Sequence, residues 1–482
     1  MKEFLDVNKK SREFYKNNKK EKWRLNYHFE PPFGLINDPN GLSFYNNEYY
    51  IYFQWNPFGV VHKNKCWGLI KTKNFINYTI PELVLAPTEH FNKDGVYSGS
   101  ALEVNGKLNL VYTGNVKNKD NLRTPYQCVV ECDKEGKLEK EKVIIKSVPK
   151  GYTTHFRDPK VFKKDNIYYF VIGAQNDNLK GRALLYSSKD FENWNLEGEI
   201  KTKYNDFGYM WECPNLINIK GKDIFIFSPQ GLEKEEFKYQ NIYQSGYILG
   251  NFDYKTLNFN HNEFEELDYG TDFYAPQVFK DDKGRNILIG WMGLPEEEKN
   301  HPVAKKGWVH ALTMPRELEL KDDKIYQKPL EEFKNLRKEV LEEVKDLKEK
   351  LWKSSNIREN SYEMYIFFKR NETGKLKINM ASSEEEEVSL TLDFNKKIGI
   401  FKNNLKEGLK QVRKLKIEDI KDLSSIKIYM DTSACEIYIN DGRYVLSNRI
   451  YPMNESVNVE VIQENVDIKE LKVWKLGGFN YE

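Results

Sequence analysis

The sequence predicts an all-β protein, with a five-bladed β-propeller followed by a C-terminal β-sandwich. Three observations lead to this prediction. A polar residue followed four positions later by an apolar one recurs five times, each time at the start of a strand-like run. A turn and a second apolar, aromatic run follow each copy, which is the pattern of a β-hairpin. Further along the chain, short segments alternate with a period of two, as is typical of a β-sandwich.

The five copies start about 60 residues apart, which suits a four-stranded blade and is too long for a helical repeat. Their first residues are Asp38 and Leu42, Ser98 and Leu102, Asp158 and Phe162, Glu212 and Leu216, and Tyr274 and Val278. Their turns are Asn46-Asn47, Asn105-Gly106, Asp165-Asn166, Lys220-Gly221 and Asp282-Lys283-Gly284. The first strand of each propeller blade lines the central channel. We therefore expect the carboxylates of Asp38, Asp158 and Glu212 to meet near one axis.

The same patterns divide the chain into four predicted segments. These are a helical N-terminal segment (1–22), the propeller (23–322), a linker (323–352) and the β-sandwich (353–482). Apolar residues at helical spacing from Leu330 to Leu351 predict a partly or wholly helical linker. The turn Asn440-Asp441-Gly442 is expected to close a hairpin of the sandwich.

Composition limits the possible partners. Lys and Arg total 75 against 73 for Asp and Glu, so the chain lacks the basic field typical of nucleic-acid binding. The first twenty residues lack the apolar core of a signal peptide, and no run of 18 apolar residues occurs, so we expect a cytoplasmic protein without a membrane partner. The five scattered cysteines indicate buried free thiols. We expect no cofactor and no metal, and the oligomeric state stays open.

Three acids carry the predicted chemistry. Two carboxylates in different protonation states are the minimum for cleaving a glycosidic bond. Asp38, in a turn rich in backbone N–H groups, is expected to stay ionised as a nucleophile. Glu212 has apolar neighbours that are expected to raise its pKa, which suits an acid/base. Asp158 is expected to accept hydrogen bonds from sugar hydroxyls, with Arg157 keeping it ionised. Each motif alone also fits a structural turn or ion pair, and their shared repeat position favours a site.

Amide and aromatic side chains near the repeat heads are candidates for substrate binding. The amides of Asn37 and Gln54 donate and accept at once, as sugar hydroxyls require. The aromatic residues offer either apolar faces for a sugar ring or ordinary core packing. They are Trp55, Trp67, Tyr97, Phe273, Tyr274 and Trp291.

The order of these motifs resembles glycoside hydrolase family 32, which contains invertases, sucrose-6-phosphate hydrolases and fructan hydrolases. The matching stretches are residues 32–41, 52–57, 97–100, 156–159 and 211–214, followed by 308–318 and 431–452. The resemblance implies a propeller joined to a sandwich and retaining hydrolysis of β-fructosides. It implies Asp38 as nucleophile, Glu212 as acid/base and Asp158 as transition-state stabiliser. The substrate-binding residues expected on both grounds are Leu35, Ile36, Asn37, Gln54, Trp55, Trp67, Tyr97, Ser98, Arg157, Tyr274 and Trp291.

Three departures from the family pattern concern the leaving-group side of the pocket: Leu69 replaces a histidine, Tyr78 a tryptophan, and Leu35-Ile36 a Trp-Met pair.

We expect sucrose 6-phosphate or sucrose as substrate rather than a long fructan. A bound phosphate group requires cationic side chains at the pocket rim. The alternative is that the candidate cations are ordinary solvated surface residues. The candidates are His62, Lys63, Lys65, Lys71 and Arg123.

Three alternatives stay open at this point. A fructan hydrolase would use the same acids on a longer substrate. An inverting propeller glycosidase acting on arabinan or xylan would also use three acids. A non-catalytic sugar-binding propeller would keep the aromatic and amide residues but lose an acid, and it could not release reducing sugar from sucrose.

Overall fold

The computed structural model describes residues 2–17, 21–133, 137–383, 385–420, 423–453 and 458–482. These residues form a β-propeller and a C-terminal domain rich in sheet, which confirms the all-β prediction. None of the helices in these ranges has the length and apolarity needed to cross a membrane. All five cysteines are buried and free, as predicted.

The N-terminal helix α1 (Lys2–Asn17) packs on the first sheet of the propeller. Ser11 Oγ donates to the carbonyl of Pro81 at 2.7 Å, and the Asn8 amide bonds both the N–H and the carbonyl of Leu83. These contacts agree with the predicted helix, although Leu5 is 68% exposed instead of packed. Residues 1 and 18–20 of the predicted segment lie outside the described residues.

Antiparallel sheets follow one another along the propeller. The first contains β1 (Gly34–Tyr45), β2 (Glu48–Asn56), β3 (Cys66–Thr72), β4 (Asn77–Tyr78) and β5 (Glu82–Leu85). The second contains β6 (Val96–Val104), β7 (Lys107–Lys117), β8 (Arg123–Cys132) and β9 (Lys142–Ile145). The third contains β10 (Tyr152–Lys164), β11 (Ile167–Asn176), β12 (Gly181–Ser188) and β13 (Asn195–Glu199).

Two more sheets complete this part of the chain. One contains β14 (Met210–Ile219), β15 (Lys222–Gln230), β16 (Gly246–Phe252), β17 (Phe259–His261) and β18 (Glu265–Glu266). The other contains β19 (Tyr274–Lys280), β20 (Asn286–Met292), β22 (Ala311–Leu312), β23 (Arg316–Lys321) and β24 (Lys324–Pro329). Between β20 and β22 lie two 3-10 turns (Glu298–Asn300 and Pro302–Lys306) and β21 (Trp308–Val309), which pairs in parallel with β1.

The predicted hairpin turns are formed with the expected backbone conformation. Asn46 and Asn47 have φ of 50° and 59°, and Tyr45 pairs directly with Glu48 across them. Two consecutive residues with positive φ are the mark of a two-residue hairpin turn whose twist matches the strands. Asn105-Gly106, Asp165-Asn166 and Lys220-Gly221 follow the same pattern.

The C-terminal domain is organised around two long strands that pair with each other. They are β27 (Tyr362–Ser382) and β34 (Asn458–Leu476). The other strands of this ten-stranded sheet are β25 (Arg337–Leu347), β26 (Leu351–Lys353), β28 (Glu387–Asp393), β29 (Ile398–Asn404), β30 (Gln411–Lys416), β31 (Leu423–Asp431), β32 (Ala434–Ile439) and β33 (Tyr444–Arg449). The predicted turn at Asn440-Asp441-Gly442 joins β32 to β33. The last strand, β35 (Asn480–Tyr481), returns to pair with β4 of the propeller.

The helix predicted between Leu330 and Leu351 is wrong. A 3-10 turn (Glu331–Leu336) is followed by strand β25, which pairs along its length with β34. Lys and Glu side chains form ion pairs across the two strands, such as Lys472 with Glu343 at 3.1 Å. Pairing also covers an edge of β34 that would otherwise stay open. The stabilisation from pairing with β34 therefore outweighs the local preference of this segment for a helix.

Candidate active site

A β-bulge in the first strand of each propeller sheet positions the candidate site. In β1, β6, β10, β14 and β19, two residues lie opposite one residue of the next strand. The bulged pairs are Asn37-Asp38, Tyr97-Ser98, Asp158-Pro159, Cys213-Pro214 and Ala275-Pro276. A bulge interrupts the ladder and re-aims side chains.

This register corrects the predicted repeat alignment. Counted from the bulge, Asp158 lies one position and Glu212 two positions before the place that Asp38 occupies. Asp158 lies within its bulge, with φ of 69°, whereas Glu212 is the last paired residue before its bulge. The residue of β10 equivalent to Glu212 is therefore Arg157, and Tyr274 is its equivalent in β19. The four-residue spacing did not distinguish the two alignments because Val161 and Phe162 are both apolar.

The Asp38 carboxylate is held by side chains on a strand, not by the backbone N–H groups of a turn as expected. Asn37 Nδ2 donates to Asp38 Oδ1 at 3.0 Å, and Ser98 Oγ donates to Asp38 Oδ2. Gln54 Oε1 in turn accepts from Asn37 Nδ2 at 3.0 Å and from Ser98 Oγ at 3.2 Å. These contacts fix the direction in which the carboxylate points.

Glu212 accepts hydrogen bonds on both carboxylate oxygens. Arg157 Nε and Nη2 lie 2.8 and 2.7 Å from Oε1, while Gln230 Nε2 and Tyr274 Oη donate to Oε2 at 2.9 and 2.7 Å. Burial raises the pKa of Glu212, but the Arg157 charge and the hydrogen bonds from Tyr274 and Arg157 outweigh it, so the pKa lies below its ordinary value. The expected effect of apolar neighbours is wrong because successive side chains of a strand point to opposite faces, and Trp211 packs in the core.

Asp158 is the acid with the raised pKa. Burial and the neighbouring Glu212 charge raise the pKa of Asp158 to about 7. Its Oδ2 accepts the backbone N–H of Cys213 at 3.1 Å. Arg157, which was expected to keep Asp158 ionised, makes its hydrogen bonds to Glu212 instead. The buried acids therefore keep a proton close to neutral pH.

Cys213 brings the three acids together. Its N–H donates to Asp158, its Sγ lies 3.9 Å from Asp38 Oδ2, and it follows Glu212 in the chain. Burial raises the pKa of its thiol well above the ordinary value, so it stays uncharged. Three carboxyl groups around one residue can supply a nucleophile, a proton donor and a hydrogen-bond acceptor to one small substrate.

The other predicted contacts separate into two groups. Asn37, Gln54, Ser98, Arg157 and Tyr274 take part in the hydrogen-bond network around the acids. Several predicted residues pack in apolar clusters and are at most 2% exposed: Leu35, Ile36, Trp55, Trp67, Phe273 and Trp291. Substrate contact by this second group stays a prediction.

A cationic rim, formed by Lys65 and Arg123, borders Tyr97. Lys65 Nζ lies 5.5 Å and the Arg123 guanidinium 6.0 Å from the centre of the Tyr97 ring. Lys65 also donates to Gln54 Oε1 at 3.2 Å, which connects the rim to the acids. The other predicted cations differ: Lys71 lies 3.7 Å from Glu48, Lys63 is exposed, and His62 lies 2.5 Å from Glu298.

The sequence analysis missed three polar residues of this network. Gln230 donates to Glu212, Thr113 Oγ1 accepts the N–H of Asp158 at 3.1 Å, and His155 Nδ1 lies 3.1 Å from Arg157 Nη1. For two of these residues, Thr113 and Gln230, the sequence contains a pattern that predicts a place in the site. Like Gln54, Thr113 and Gln230 are polar residues that follow the apolar run of a second strand.

The chain is similar to known proteins over most of its length. Two family models match, Glycosyl hydrolases family 32 N-terminal domain over residues 28–329 and Glycosyl hydrolases family 32 C terminal over residues 332–475. Sucrose-6-phosphate hydrolase of Bacillus subtilis (strain 168) is 38% identical over 463 residues, covering 94% of each chain. The structure of sucrose-6-phosphate hydrolase from Lactobacillus gasseri has a TM-score of 0.88 at 29% identity and covers 98% of this chain and 97% of that one. A Bombyx mori GH32 beta-fructofuranosidase mutant in complex with sucrose has a TM-score of 0.83 at 29% identity, covering 99% of both chains.

Proposed function

The chain belongs to glycoside hydrolase family 32, and on that basis we propose that it hydrolyses the fructosyl bond of sucrose 6-phosphate or sucrose with retention of configuration. The observation that carries the proposal is the arrangement of Asp38, Asp158 and Glu212 around Cys213. The names of the similar bacterial proteins support the choice of substrate.

The reaction has two steps. Asp38 attacks the anomeric carbon of the fructosyl unit, and Glu212 protonates the departing glycosidic oxygen, which breaks the bond and leaves a fructosyl ester on Asp38. Glu212 then takes a proton from water, whose oxygen attacks the same carbon and releases Asp38. Asp158 accepts hydrogen bonds from sugar hydroxyls. Those bonds favour its ionised form, so binding moves the shared proton from Asp158 towards Glu212.

The finer domain architecture is part of the proposal. Five successive sheets of the propeller are proposed to be its five blades, and the parallel pairing of β21 with β1 supports closure of the ring. The C-terminal domain is proposed to be a β-sandwich that braces the propeller. A boundary close to residue 330, within the predicted linker 323–352, is supported by the limits of the two family matches.

The cationic rim is proposed to bind the 6-phosphate of the glucose unit. Lys65 and Arg123 stand beside Tyr97, and burial together with the charges of Arg157 and Arg123 lowers the pKa of the nearby His155 to about 4. A cluster of cations that keeps a histidine neutral is suited to a phosphate dianion.

This substrate assignment is tested by kcat/KM for sucrose 6-phosphate, sucrose and inulin at low and raised salt. We expect a preference for the 6-phosphate that shrinks as salt screens the contact. Lys65→Met or Arg123→Met should reduce the ratio of 6-phosphate to sucrose about tenfold, the worth of one charge-assisted hydrogen bond. Lys71→Met, in the ion pair with Glu48, is the matched control. A preference for inulin would assign the enzyme to the fructan hydrolases.

The stereochemical outcome is a separate prediction. Retention requires the nucleophile and the acid to lie about 5–5.5 Å apart, whereas inversion needs about 6.5–9.5 Å to admit a water. The contact of Cys213 with Asp38, one residue from Glu212, favours the shorter separation. NMR during the first turnovers should detect β-fructose before mutarotation. An initial α anomer would support the inverting alternative.

The pH profile should report the buried acids. Because burial raises the pKa of Asp158 to about 7, kcat/KM is expected to fall above about pH 7, where the shared proton is lost. Tyr274→Phe removes a hydrogen bond that favours ionised Glu212, so the basic limb should move to higher pH. Tyr243→Phe is the control, since its ring centre lies 5.9 Å from that of Tyr274 and its hydroxyl contacts Tyr209 and Glu296. If the basic limb of the Tyr274→Phe profile stays at the same pH or moves to lower pH, this assignment is contradicted.

A further inference from the structure

Two histidines and a glutamate lie together beside Trp291 and next to the cationic rim, since His62 Nδ1 lies 3.5 Å from Lys65 Nζ. They are His62, which follows β2, Glu298 in the first 3-10 turn, and His310 between β21 and β22. One side-chain nitrogen or oxygen from each residue lies within 4.8 Å of the others. The ring centres of His62 and His310 lie 5.4 and 5.2 Å from that of Trp291.

His310 is the unusual member of this group. Its side chain has no exposed surface, and within the described ranges neither ring nitrogen has a hydrogen-bond partner. A buried polar atom without a partner is destabilising, so proteins rarely keep two on one ring.

The surrounding backbone leaves room for this ring and holds it in place. His310 has a φ of 67°, in the left-handed region that is uncommon for residues other than glycine. Gly293 faces the ring, and a Cβ at that position would lie 2.4 Å from His310 Nδ1. The side chains of His62 and Glu298 are 26% and 15% exposed, while the two atoms that face each other, His62 Nε2 and Glu298 Oε1, are buried.

We propose that His62, Glu298 and His310 bind one divalent transition-metal ion of the Zn²⁺ class. Two imidazoles and a carboxylate are a common zinc-binding set, which leaves a fourth position for water. At metal–ligand distances of about 2.0–2.2 Å, tetrahedral ligand atoms lie about 3.4 Å apart. His62 Nε2 and Glu298 Oε1 are 2.5 Å apart, so Glu298 moves back by roughly 0.9 Å when the ion enters.

This site extends the sequence analysis, which expected no metal, and it does not depend on the fructosidase proposal. The competing explanation is an ion pair between His62 and Glu298, with His310 simply packed against Trp291. That arrangement would have no particular affinity for a metal ion. The two explanations therefore differ in a quantity that binding measurements report directly.

The test is a titration of the full-length, chelator-treated protein with ZnCl₂ in competition with a chromophoric chelator, and with CoCl₂ followed by absorption. We expect one equivalent of Zn²⁺ to bind and Co²⁺ to give the visible bands of a four-coordinate site. His62→Ala and Glu298→Gln, both at partly exposed positions that tolerate substitution, should each weaken binding at least about 100-fold. His90→Ala, which removes an exposed histidine elsewhere, is the control and should bind as the wild type does.

Two outcomes would overturn the proposal. One is the absence of stoichiometric Zn²⁺ binding by the wild type. The other is binding that survives in both His62→Ala and Glu298→Gln, which would locate the ion elsewhere. Circular dichroism of each variant checks that lost binding does not come from lost folding. His310→Gln is the third variant, and in a folded protein it should also abolish binding.

Discussion

Asp38→Ala is expected to lower kcat/KM on every fructoside by about 10⁴- to 10⁶-fold, because no other group can form the covalent intermediate. Asp38→Asn keeps the shape and can accept one of the two hydrogen bonds that Ser98 and Asn37 donate, yet should lose as much activity. The measurement is kcat/KM on sucrose and on an activated aryl fructoside. Ser98→Ala, which leaves the carboxylate in place, should lose far less.

Glu212→Ala provides the comparison that separates the two roles. On sucrose it should lose about 10²- to 10⁴-fold, the usual contribution of a general acid. On the aryl fructoside, whose leaving group needs no proton, the first step should keep most of its rate. Equal losses by Asp38→Ala and Glu212→Ala on the aryl fructoside would contradict the assignment of both acids.

Arg316→Met is expected to destabilise the protein by about 3–5 kcal/mol, the cost of breaking a buried ion pair. The Arg316 guanidinium is fully buried and contacts Asp268 of the propeller at 3.1 Å and Glu436 of the C-terminal domain at 2.8 Å. Removing the cation takes the Arg316 contact away from both buried carboxylates, although Glu436 keeps His28 Nε2 at 3.2 Å. Chemical denaturation should report the loss, while the folded variant keeps its kcat because Arg316 lies outside the acid network.

A second substitution distinguishes the charge effect from packing. In Arg316→Met with Glu436→Gln one of the two buried charges is gone, so part of the lost stability should return. Lys345→Met, in the solvent-exposed pair with Glu470, is the control and should not change the denaturation curve. A denaturation midpoint for Arg316→Met equal to that of Lys345→Met would contradict the role of the buried network.

Local chemistry was sufficient to predict the hairpins and the identity of the acids. Turns such as Asn46-Asn47 and Asn105-Gly106 need residues that tolerate positive φ, and that requirement is visible in the sequence. The alternation of apolar residues predicted the strands on both sides. The polar heads of the repeats predict a site at Asp38, Asp158 and Glu212, and the fold brings these three acids together around Cys213.

Long-range pairing decided what local patterns could not. The strand β25 has a helical pattern, but pairing with β34 more than 100 residues away stabilises it as a strand. The bulge register likewise depends on the neighbouring strand, and it assigns Arg157 to Glu212 and leaves Asp158 with the raised pKa. A pKa depends on the charges within a few ångströms and on burial, and both come from elements far apart in the chain. For the same reason the group formed by His62, Glu298 and His310 became visible only when three separate loops were brought together.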